Sequence, residues 1–342
     1  MKTLSVVVPC FNSADYMERC VDSLLAGGRG AEGALEIIIV NDGSVDGTAA
    51  MADDYEARFP AIVRAVHTPN GGHGSAVNTG IEHATGRYFK VVDSDDWVDA
   101  AALDTLLATL AALVDTGDAP DLLISNFTYE KTGKRVKRAV RYRNALPRGE
   151  VFGWDDFGRF RKSQYMLMHS LTYRTGLLRE SGLRLPAHTF YVDNLYASIP
   201  LTLVRSMFYL DVDLYRYYIG RADQSVNEAV MLRRIDQQLR VTNLMQDALP
   251  TLSAVHPRMH NYLVHYFEVV SAVTSLMLIR SGTRENLARK AGFWESLREE
   301  HPRVYRRMRR SMLGHIMNLP GRAGRRTTVT AYRVARWVVG FN

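Results

Sequence analysis

Three carboxylates within four positions are the side chains best placed to do chemistry in this sequence. The apolar run Tyr88–Val92 is followed at once by Asp93, Asp95 and Asp96. Carboxylates this close repel one another unless a cation or hydrogen-bond donors compensate. Oxygen ligands of this kind suit Mg²⁺ or Mn²⁺, which commonly bridge carboxylates and substrate phosphates. The cluster predicts a metal–phosphate site, and the alternative is a solvated turn in which Asp96 or Asp99 caps the next helix.

The acids end one of several apolar runs that alternate with helical patterns in the first third of the chain. Strands are predicted at LSVVVPCF, LEIIIVND, IVRAVHT and RYFKVVD, with helices at 13–25, 48–59 and 74–84 and a further helix from residue 100. Continuous apolar strands separated by helices indicate a parallel sheet covered on both faces, an α/β fold. DLLISNFTYE and FYLDVDLYRYYIG are predicted as further strands, and 157–182 carries helical patterning.

Two other strand ends and a glycine-rich loop bring polar groups to the same edge of that sheet. The first strand ends in PCFN, the second in NDGS, and the loop Asn70–Gly80 opens a helix. Ligands of open α/β sheets bind at the carboxyl ends of strands, and a helix N-terminus offers N–H groups to phosphate. The loop lacks the third glycine of the dinucleotide fingerprint, and the sequence has no GxxxxGK[ST], so neither NAD binding nor a P-loop is predicted.

The bulk composition is that of a globular protein in a reducing compartment. A chain of 342 residues is long enough for two domains, and its two cysteines, Cys10 and Cys20, make no disulfide framework. The start MKTLSVVVPCFN has no basic stretch before a long apolar core, so it is predicted as a strand and not as a signal peptide. We expect a cytoplasmic location.

The C-terminal third is predicted to be mostly helical, from Glu228 to about Met317. Its most apolar helix, residues 259–279, contains His265 and Glu268 near the middle. Ionisable side chains at that depth are costly in a bilayer, so a core or interface helix is predicted instead of a membrane span.

Positive charge is concentrated at the C-terminal end. Residues 301–342 contain ten arginines and no lysine or acid, which leaves 33 basic and 36 acidic side chains in residues 1–300. This distribution argues against a nucleic-acid-binding body. The tail would suit an anionic membrane surface, with 327–341 as an amphipathic helix. RNA, an acidic partner, a solvated tail and a helix packing against a dimer partner are the alternatives.

Four segments taken together resemble a known family. VVVPCFN, IIIVNDGSVDGT, NGGHGSAVNTGI and YFKVVDSDDW, in this order and spacing, resemble the nucleotide-binding half of the family 2 glycosyltransferases with the GT-A fold. The resemblance covers about residues 3–220. It implies a GT-A domain at 1–225, with a donor half at about 1–125 and an acceptor half at about 126–225, followed by a helical region at 226–342.

The resemblance implies a role for most of the polar residues at the sheet edge. Asp42 would contact the nucleobase, Pro9 and Phe11 would line the base and ribose pocket, and Asp93 and Asp95 match the DxD element. Asp95 would be the direct metal ligand, while Asp93 would contact ribose or metal-bound water. The other residues assigned to the donor are Asn12, Ser44, Asn70, Gly72, His73, Asn78 and Ser94, with Arg221 and Gln224 from a loop over the diphosphate.

An inverting transfer also needs a base that deprotonates the acceptor hydroxyl. By resemblance Asp193 in HTFYVDNLYASIP is that base, although Val192 replaces the acid that the family usually shows before it. The alternative is that Asp193 caps a helix at 194–199. His169 is assigned to the acceptor side or the donor, with a purely structural histidine as the alternative, and Lys90 to a structural pairing.

The sequence therefore predicts an inverting glycosyltransferase that depends on Mn²⁺ or Mg²⁺ and takes a nucleotide-sugar, in particular a UDP-sugar. Its acceptor would be a sugar, glycolipid or polysaccharide of the cell envelope, reached from the inner face of the plasma membrane, and a homodimer through the C-terminal helices stays open. A nucleotidyltransferase would carry a basic glycine-rich motif near the first strand, which PCFNSADYMERC lacks. The third alternative is an inactive transferase-like binding module.

Overall fold

The computed structural model describes residues 2–27, 33–131, 138–161, 164–219, 227–251 and 253–339, with side chains as far as residue 334. Within it the chain divides into two compact units, Met1–Ile219 and Gly220–Asn342.

The first unit is built from strands and helices that alternate as the hydrophobic pattern predicts. Its strands are β1 (Leu4–Cys10), β2 (Leu35–Asp42), β3 (Val63–Thr68), β4 (Tyr88–Val91), β5 (Trp97–Val98), β6 (Leu122–Lys131), β7 (Arg138–Val140), β8 (Val151–Phe152), β9 (Leu171–Arg174) and β10 (Met207–Ile219). Its helices are α1 (Met17–Gly27), α2 (Thr48–Arg58), α3 (His73–His83), α4 (Ala100–Asp115), α5 (Thr175–Glu180) and α6 (Asp193–Ser198).

The described strands form one mixed sheet in the order β3-β2-β1-β4-β9-β6-β10-β5, with β7 beside β6 and β8 beside β10. Strands β1 to β4 pair in parallel, and β6 pairs in parallel with β10. Every residue of β1 and β2 is buried. Strands covered on both faces need no polar alternation, which explains the near-continuous apolar runs.

The helical prediction for 157–182 is wrong for most of that segment. The described residues there include one turn of 3₁₀-helix at Met168–Ser170, and β9 then pairs antiparallel with both β4 and β6. Among the residues of this segment that the structure describes, Thr175–Glu180 is the α-helical part. Strand β9 is four residues long, too short for its period to be distinguished from a helical one in the sequence.

The second unit is helical, as predicted. It contains α7 (Glu228–Arg233), α8 (Ile235–Asp247), α9 (Pro257–Ser281), α10 (Arg284–Glu300), α11 (Pro302–Arg310), α12 (Met312–Met317) and α13 (Gly321–Val339). Among the described residues α9 is the one helix long and apolar enough to cross a membrane, but 72% of its apolar window is buried inside the protein. That burial is typical of a core helix.

Candidate active site

The acid cluster lies at the carboxyl end of β4, where the sequence places it. Asp93 and Asp95 are half-buried, and Asp96 is almost fully buried. Asp99 caps α4, because its carboxylate accepts a hydrogen bond from the backbone N–H of Ala102 at 3.1 Å. The capping alternative therefore applies to Asp99 and accounts for none of the other three acids.

Tyr215 on β10 connects two of these acids. Its hydroxyl donates to the Asp96 carboxylate at 2.6 Å and accepts from the backbone N–H of Asp93 at 3.1 Å. The backbone N–H of Tyr218 donates to the second oxygen of Asp96 at 2.7 Å. Burial and the neighbouring Asp95 and Asp93 raise the pKa of Asp96 well above its usual range. Asp96 is thus a buried support of the cluster, tied to the adjacent strand.

The pairing of β9 with β4 brings His169 to the same place. The register pairs Tyr88 with Arg174 and Phe89 with Tyr173, so its continuation sets Asp93 opposite His169. The His169 Nε2 atom lies 3.9 Å from an Asp93 carboxylate oxygen. Burial lowers the pKa of His169 to about 4, against the opposing effect of Asp93. His169 is therefore a neutral imidazole near pH 7, an acceptor or ligand and not a cation.

His73, the first residue of α3, is a close side-chain partner of Asp93. The His73 Nε2 and Asp93 Oδ1 atoms are 2.8 Å apart, and one third of the His73 side chain is exposed. Burial lowers the pKa of His73, but Asp93, Asp193 and Asp95 outweigh it, so the pKa is raised. A hydrogen-bonded cation in turn holds the pKa of Asp93 below its usual range, even though burial opposes this.

Lys90 is a buried lysine behind the cluster, on β4. Its Nζ donates to the backbone carbonyl of His169 at 2.7 Å, and the carbonyl of Leu171 lies 3.5 Å away. Burial lowers the pKa of Lys90 to about 7. The side chain thus fixes the start of β9 by hydrogen bonds to carbonyls, which is a structural role. Among the described residues no acid forms an ion pair with it.

Asp42 holds the glycine-rich loop. Its two carboxylate oxygens accept the backbone N–H groups of Gly71 at 2.8 Å and Gly72 at 2.7 Å, and its backbone carbonyl accepts from the Asn70 side chain at 2.9 Å. These two N–H groups are therefore already used and are not the phosphate donors that the loop suggested. Each carboxylate oxygen keeps a second lone pair, so contact between Asp42 and a nucleobase stays a prediction.

Glycine is required where this loop passes β2. Gly43 has φ +68°, and a Cβ built on it would lie 2.6 Å from the backbone nitrogen of Asn70. Both the left-handed backbone and the close approach exclude larger residues. The NDG sequence is thus explained by loop packing.

Hydroxyl and amide groups join the ends of β1, β2 and β4. The Ser44 hydroxyl accepts from the backbone N–H of Asn12 at 3.0 Å, and the Asn12 side chain accepts from that of Val45 at 2.9 Å. Ser94 and Ser13 share a hydrogen bond of 2.8 Å. Three residues predicted to bind the nucleotide-sugar, Asn12, Ser44 and Ser94, therefore lie at one edge of the sheet. Each of them also forms a hydrogen bond that maintains a loop.

The remaining residues predicted to bind the nucleotide-sugar differ in their burial and in their contacts. Phe11 is half exposed, whereas Pro9 is buried within β1. Both amide atoms of Asn78 bond to the backbone of Leu185, at 2.8 and 3.0 Å, so Asn78 positions the segment before α6. Arg221 and Gln224 lie outside the described residues.

Asp193 is the first residue of α6 and does not cap it. Val192 occupies the capping position, and no side chain caps this helix. Burial raises the pKa of Asp193 to about 6, with His73 lowering it and Asp93 raising it further. Charges at the acid cluster therefore affect the pKa of Asp193, although Asp193 lies on α6 and Asp93 follows β4. The role of Asp193 as a base stays a prediction.

The loop before Asp193 contains two strained residues. His188 and Tyr191 have φ of +48° and +68°, and Asn12 is the other non-glycine residue with positive φ among the described residues. The His188 backbone N–H donates to the carbonyl of Gly71 at 2.6 Å. Such strain persists only where the surroundings impose it, and it clusters at functional sites.

Sequence reasoning missed two tyrosines. Tyr217 stacks on His169 with ring centroids 4.4 Å apart, and Tyr215 meets the same ring edge-on at 4.6 Å. The strand FYLDVDLYRYYIG is rich in tyrosine. Its antiparallel register with β5, which carries Tyr215 and Tyr217 to the acids, is a tertiary feature that no local pattern contains.

A divalent cation fits this donor set. Ligand atoms of Asp93, Asp96 and His169 lie within 4.8 Å of one another. The Nδ1 atom of His169 is buried and has no hydrogen-bond partner in the described structure. Carboxylate oxygens with an imidazole suit Mn²⁺ or Mg²⁺. The group differs from the predicted pair because Asp95 is outside it.

Comparison with known sequences identifies relatives of the first unit. Residues 5–167 match the sequence profile of Glycosyl transferase family 2. Glycosyltransferase EpsJ of Bacillus subtilis (strain 168) is 44% identical over 103 residues, which are 30% of this chain and 29% of EpsJ. YibD of Escherichia coli K12 is 28% identical over 251 residues, 71% of this chain and 70% of YibD. Chondroitin synthase of Pasteurella multocida is 31% identical over 170 residues, 48% of this chain and 15% of the synthase.

Solved structures share the fold. S. aureus TarS 1–349 in complex with UDP-GlcNAc superposes with a TM-score of 0.69 at 19% identity, covering 98% of this chain and 92% of that one. The mannosyltransferase PcManGT of Pyrobaculum calidifontis, in complex with GDP-Man and Mn²⁺, has a TM-score of 0.53 at 18% identity, covering 98% and 86%. At these identities the likeness shows the fold alone.

Lys90→Met tests the buried lysine through the pH dependence of stability. The folded-state pKa of about 7 lies below the ordinary value of 10.5, so between these values the unfolded chain binds a proton that the folded chain does not. The free energy of unfolding of the wild type should therefore rise with pH relative to Lys90→Met, by up to about 1 kcal/mol per pH unit. Urea unfolding at pH 7 and pH 9 measures this difference, with Lys2→Met, at a lysine that is only half-buried, as control. Parallel pH profiles for wild type and Lys90→Met would contradict it.

Tyr215→Phe tests the hydrogen bonds that support the acids. Losing the hydroxyl removes one donor to Asp96 and the acceptor for the Asp93 backbone N–H, so we expect a loss of about 1–3 kcal/mol in the free energy of unfolding. Tyr217→Phe is the matched control, since no hydrogen bond of its hydroxyl occurs in the described part of the chain. Equal stability of the two variants would show that Tyr215 does not support the cluster.

Proposed function

Because residues 5–167 match the sequence profile of Glycosyl transferase family 2, we propose that this chain transfers a sugar from a nucleotide-sugar to an acceptor hydroxyl with inversion at the anomeric carbon. The predicted GT-A fold is confirmed by the solved structures that superpose on the chain. The chain spans only 29% of EpsJ, so the activity is a proposal that rests on the site.

The observation that carries the proposal is the raised pKa of the buried Asp193, which Asp93 and His73 both influence. An acid whose pKa is raised to about 6 is ionised at neutral pH yet basic enough to accept a proton. Asp193 would take the proton of the acceptor hydroxyl as its oxygen attacks the anomeric carbon. The acids at the end of β4 would serve the opposite side of the reaction, where the nucleotide leaves.

Asp93 and Asp95 would hold a divalent cation, with His169 and Asp96 as further candidate ligands. A bound Mn²⁺ or Mg²⁺ neutralises the charge that grows on a departing nucleoside diphosphate. His73 would contribute a further positive charge beside Asp93, because its pKa is raised. Tyr215 would keep Asp93 and Asp96 in place during the reaction.

We propose a UDP-sugar as donor, with Asp42 and the loop that it holds forming the base pocket. The free lone pairs of the Asp42 carboxylate would accept the imide N–H of uracil. TarS, which superposes on this chain, was crystallised with UDP-GlcNAc, whereas PcManGT was crystallised with GDP-Man. A titration panel of UDP, GDP and their sugars therefore decides between the two bases.

The acceptor would be a growing polysaccharide or glycolipid. Chondroitin synthase and hyaluronan synthase of Pasteurella multocida, both polymer-forming by name, are each 31% identical to 48% of this chain. Tyr165 and Tyr217 are half-buried, and burial and the nearby charge of Asp193 both raise the pKa of each phenol. Such rings would suit the apolar face of an acceptor sugar.

Asp193→Asn should abolish transfer while leaving donor binding intact. Removing a general base costs about 10²–10⁴-fold in rate, so kcat should fall by at least that factor. The wild-type kcat/KM should decline below about pH 6, because Asp193 becomes protonated there. Transfer assays with UDP-sugars measure the first effect and a pH–rate profile the second. The exposed Asp118→Asn is the control, and full activity of Asp193→Asn would remove it as base.

Asp95→Asn should weaken metal-dependent nucleotide binding. We expect the affinity for UDP in the presence of Mn²⁺ to fall at least about tenfold, since even outer-sphere partners of a metal contribute about 10–100-fold. Isothermal titration with Mn²⁺, and again with EDTA, measures this affinity. Asp118→Asn serves as control here too. Wild-type affinity that is unchanged by EDTA would contradict metal-assisted donor binding.

A further inference from the structure

Helix α11 presents a stripe of arginines to solvent. Arg303, Arg306 and Arg310 are exposed and are spaced i, i+3, i+7, so they share one face of the helix. Val304 and Met308 on the other side are buried. The apolar face of α11 therefore packs in the core of the helical unit, and its arginine face is exposed for contact with another molecule.

Helix α13 repeats the arrangement. Arg322, Arg326 and Arg333 are exposed, and their spacing i, i+4, i+11 also places them within one narrow face. Thr328 lies roughly opposite and is buried, its hydroxyl bonded to the Ile316 carbonyl at 2.7 Å. Arg303, Arg306 and Arg310 of α11 and Arg322, Arg326 and Arg333 of α13 are together called the arginine surface below. Arg307 is also exposed, but its guanidinium donates to the Asn261 side chain.

No carboxylate neutralises the arginine surface within the described structure. The described ion pairs of the helical unit, such as Arg280 with Glu228 and Arg289 with Asp236, use arginines before residue 301. Residues 301–342 contain no acid at all. Positive charge kept free of acids, at a cost in self-repulsion, indicates an anionic partner.

Exposed apolar side chains accompany these charges. In the described part of the helical unit, the large hydrophobic side chains that stand out as exposed are Met312 and Val334, each 56% exposed. Met312 follows Arg310 by two residues, and Val334 is adjacent to Arg333. Basic and apolar groups side by side suit the interface of a bilayer, where phosphate headgroups border acyl chains.

The aromatic side chains near the arginine surface are engaged elsewhere. Tyr305 packs edge-on against Trp294 with ring centroids 6.2 Å apart, and the Arg280 guanidinium lies 5.5 Å from the centre of the Tyr332 ring. Single-stranded nucleic acids are commonly bound by stacking on free aromatic rings. Within the described side chains this surface offers arginine, methionine and valine, which favours lipid over RNA.

We propose that the arginine surface docks the protein on a bilayer containing anionic phospholipid. Arginines meet the headgroup phosphates, and Met312 and Val334 enter the boundary with the acyl chains. Each basic residue near an anionic surface strengthens binding about fivefold, so a face of three arginines contributes about 100-fold. Docking involves no residue of the active site, so it does not depend on the proposed transfer reaction.

Flotation of the full-length protein with vesicles tests the surface. The vesicles contain 30% phosphatidylglycerol in phosphatidylcholine, or phosphatidylcholine alone. We expect the wild type to float only with the anionic vesicles. The triple variants R303Q/R306Q/R310Q and R322Q/R326Q/R333Q should each bind about 100-fold more weakly. The control R159Q/R205Q/R284Q removes the same charge from exposed positions elsewhere and should bind like the wild type.

Several results would overturn the proposal: equal flotation with both vesicle types, the same loss in the control as in the two face variants, or binding of the wild type to polyuridylate but not to vesicles. Circular dichroism and UDP titration check that each variant is folded. If a variant unfolds, a salt titration of the wild type tests the proposal on its own. Charge-driven binding to anionic vesicles must weaken steeply between about 0.05 and 0.5 M salt. Salt-independent flotation would contradict docking through arginines.

Discussion

Electrostatic repulsion among Asp93, Asp95 and Asp96 is the constraint on which the rest of the active-site structure depends. Carboxylates at the end of a buried strand are stable only where the surrounding elements supply hydrogen bonds or positive charge. Helix α3 supplies the His73 imidazole at 2.8 Å from Asp93, and β10 supplies the Tyr215 hydroxyl to Asp96 at 2.6 Å. Strand β10 carries Tyr215, and the pairing of β9 with β4 brings His169, which precedes β9, to the same acids.

The sequence was sufficient for the framework of the site but not for its supports. Buried strands such as β1 and β2 are recognisable because a continuous apolar run has one stable environment, between two layers of helices. Strand β9 lies in a segment that carries helical patterning, and it was not recognised, because four residues carry no period and its partners β4 and β6 are distant in sequence. Tyr215 reaches Asp96 across 119 positions, and only the register of β10 determines that contact.

Loop geometry explains why the predicted base stands where it does. Asp42 fixes Gly71 and Gly72, the Gly71 carbonyl accepts from the His188 backbone, and Asn78 holds Leu185. This chain of contacts begins at β2 and ends just before α6, whose first residue is Asp193. The left-handed backbone of His188 and Tyr191 is the strain that those contacts support. A residue assigned to the nucleobase therefore also positions the acceptor side, which a linear motif does not reveal.

The basic side chains nearest the acids do not fully balance the negative charge of the cluster. Lys90 lies behind the acids, but burial lowers its pKa to about 7, and burial lowers that of His169 to about 4. Neither group therefore supplies a full positive charge at neutral pH, and His73 compensates in part. Extra cationic side chains would stabilise the carboxylates, yet they would compete with a metal for the same oxygens. When the nearest basic groups are close to neutral, the carboxylates stay available to a divalent cation that is bound with a nucleoside diphosphate. The burial of Lys90, which lowers its pKa, is consistent with that requirement.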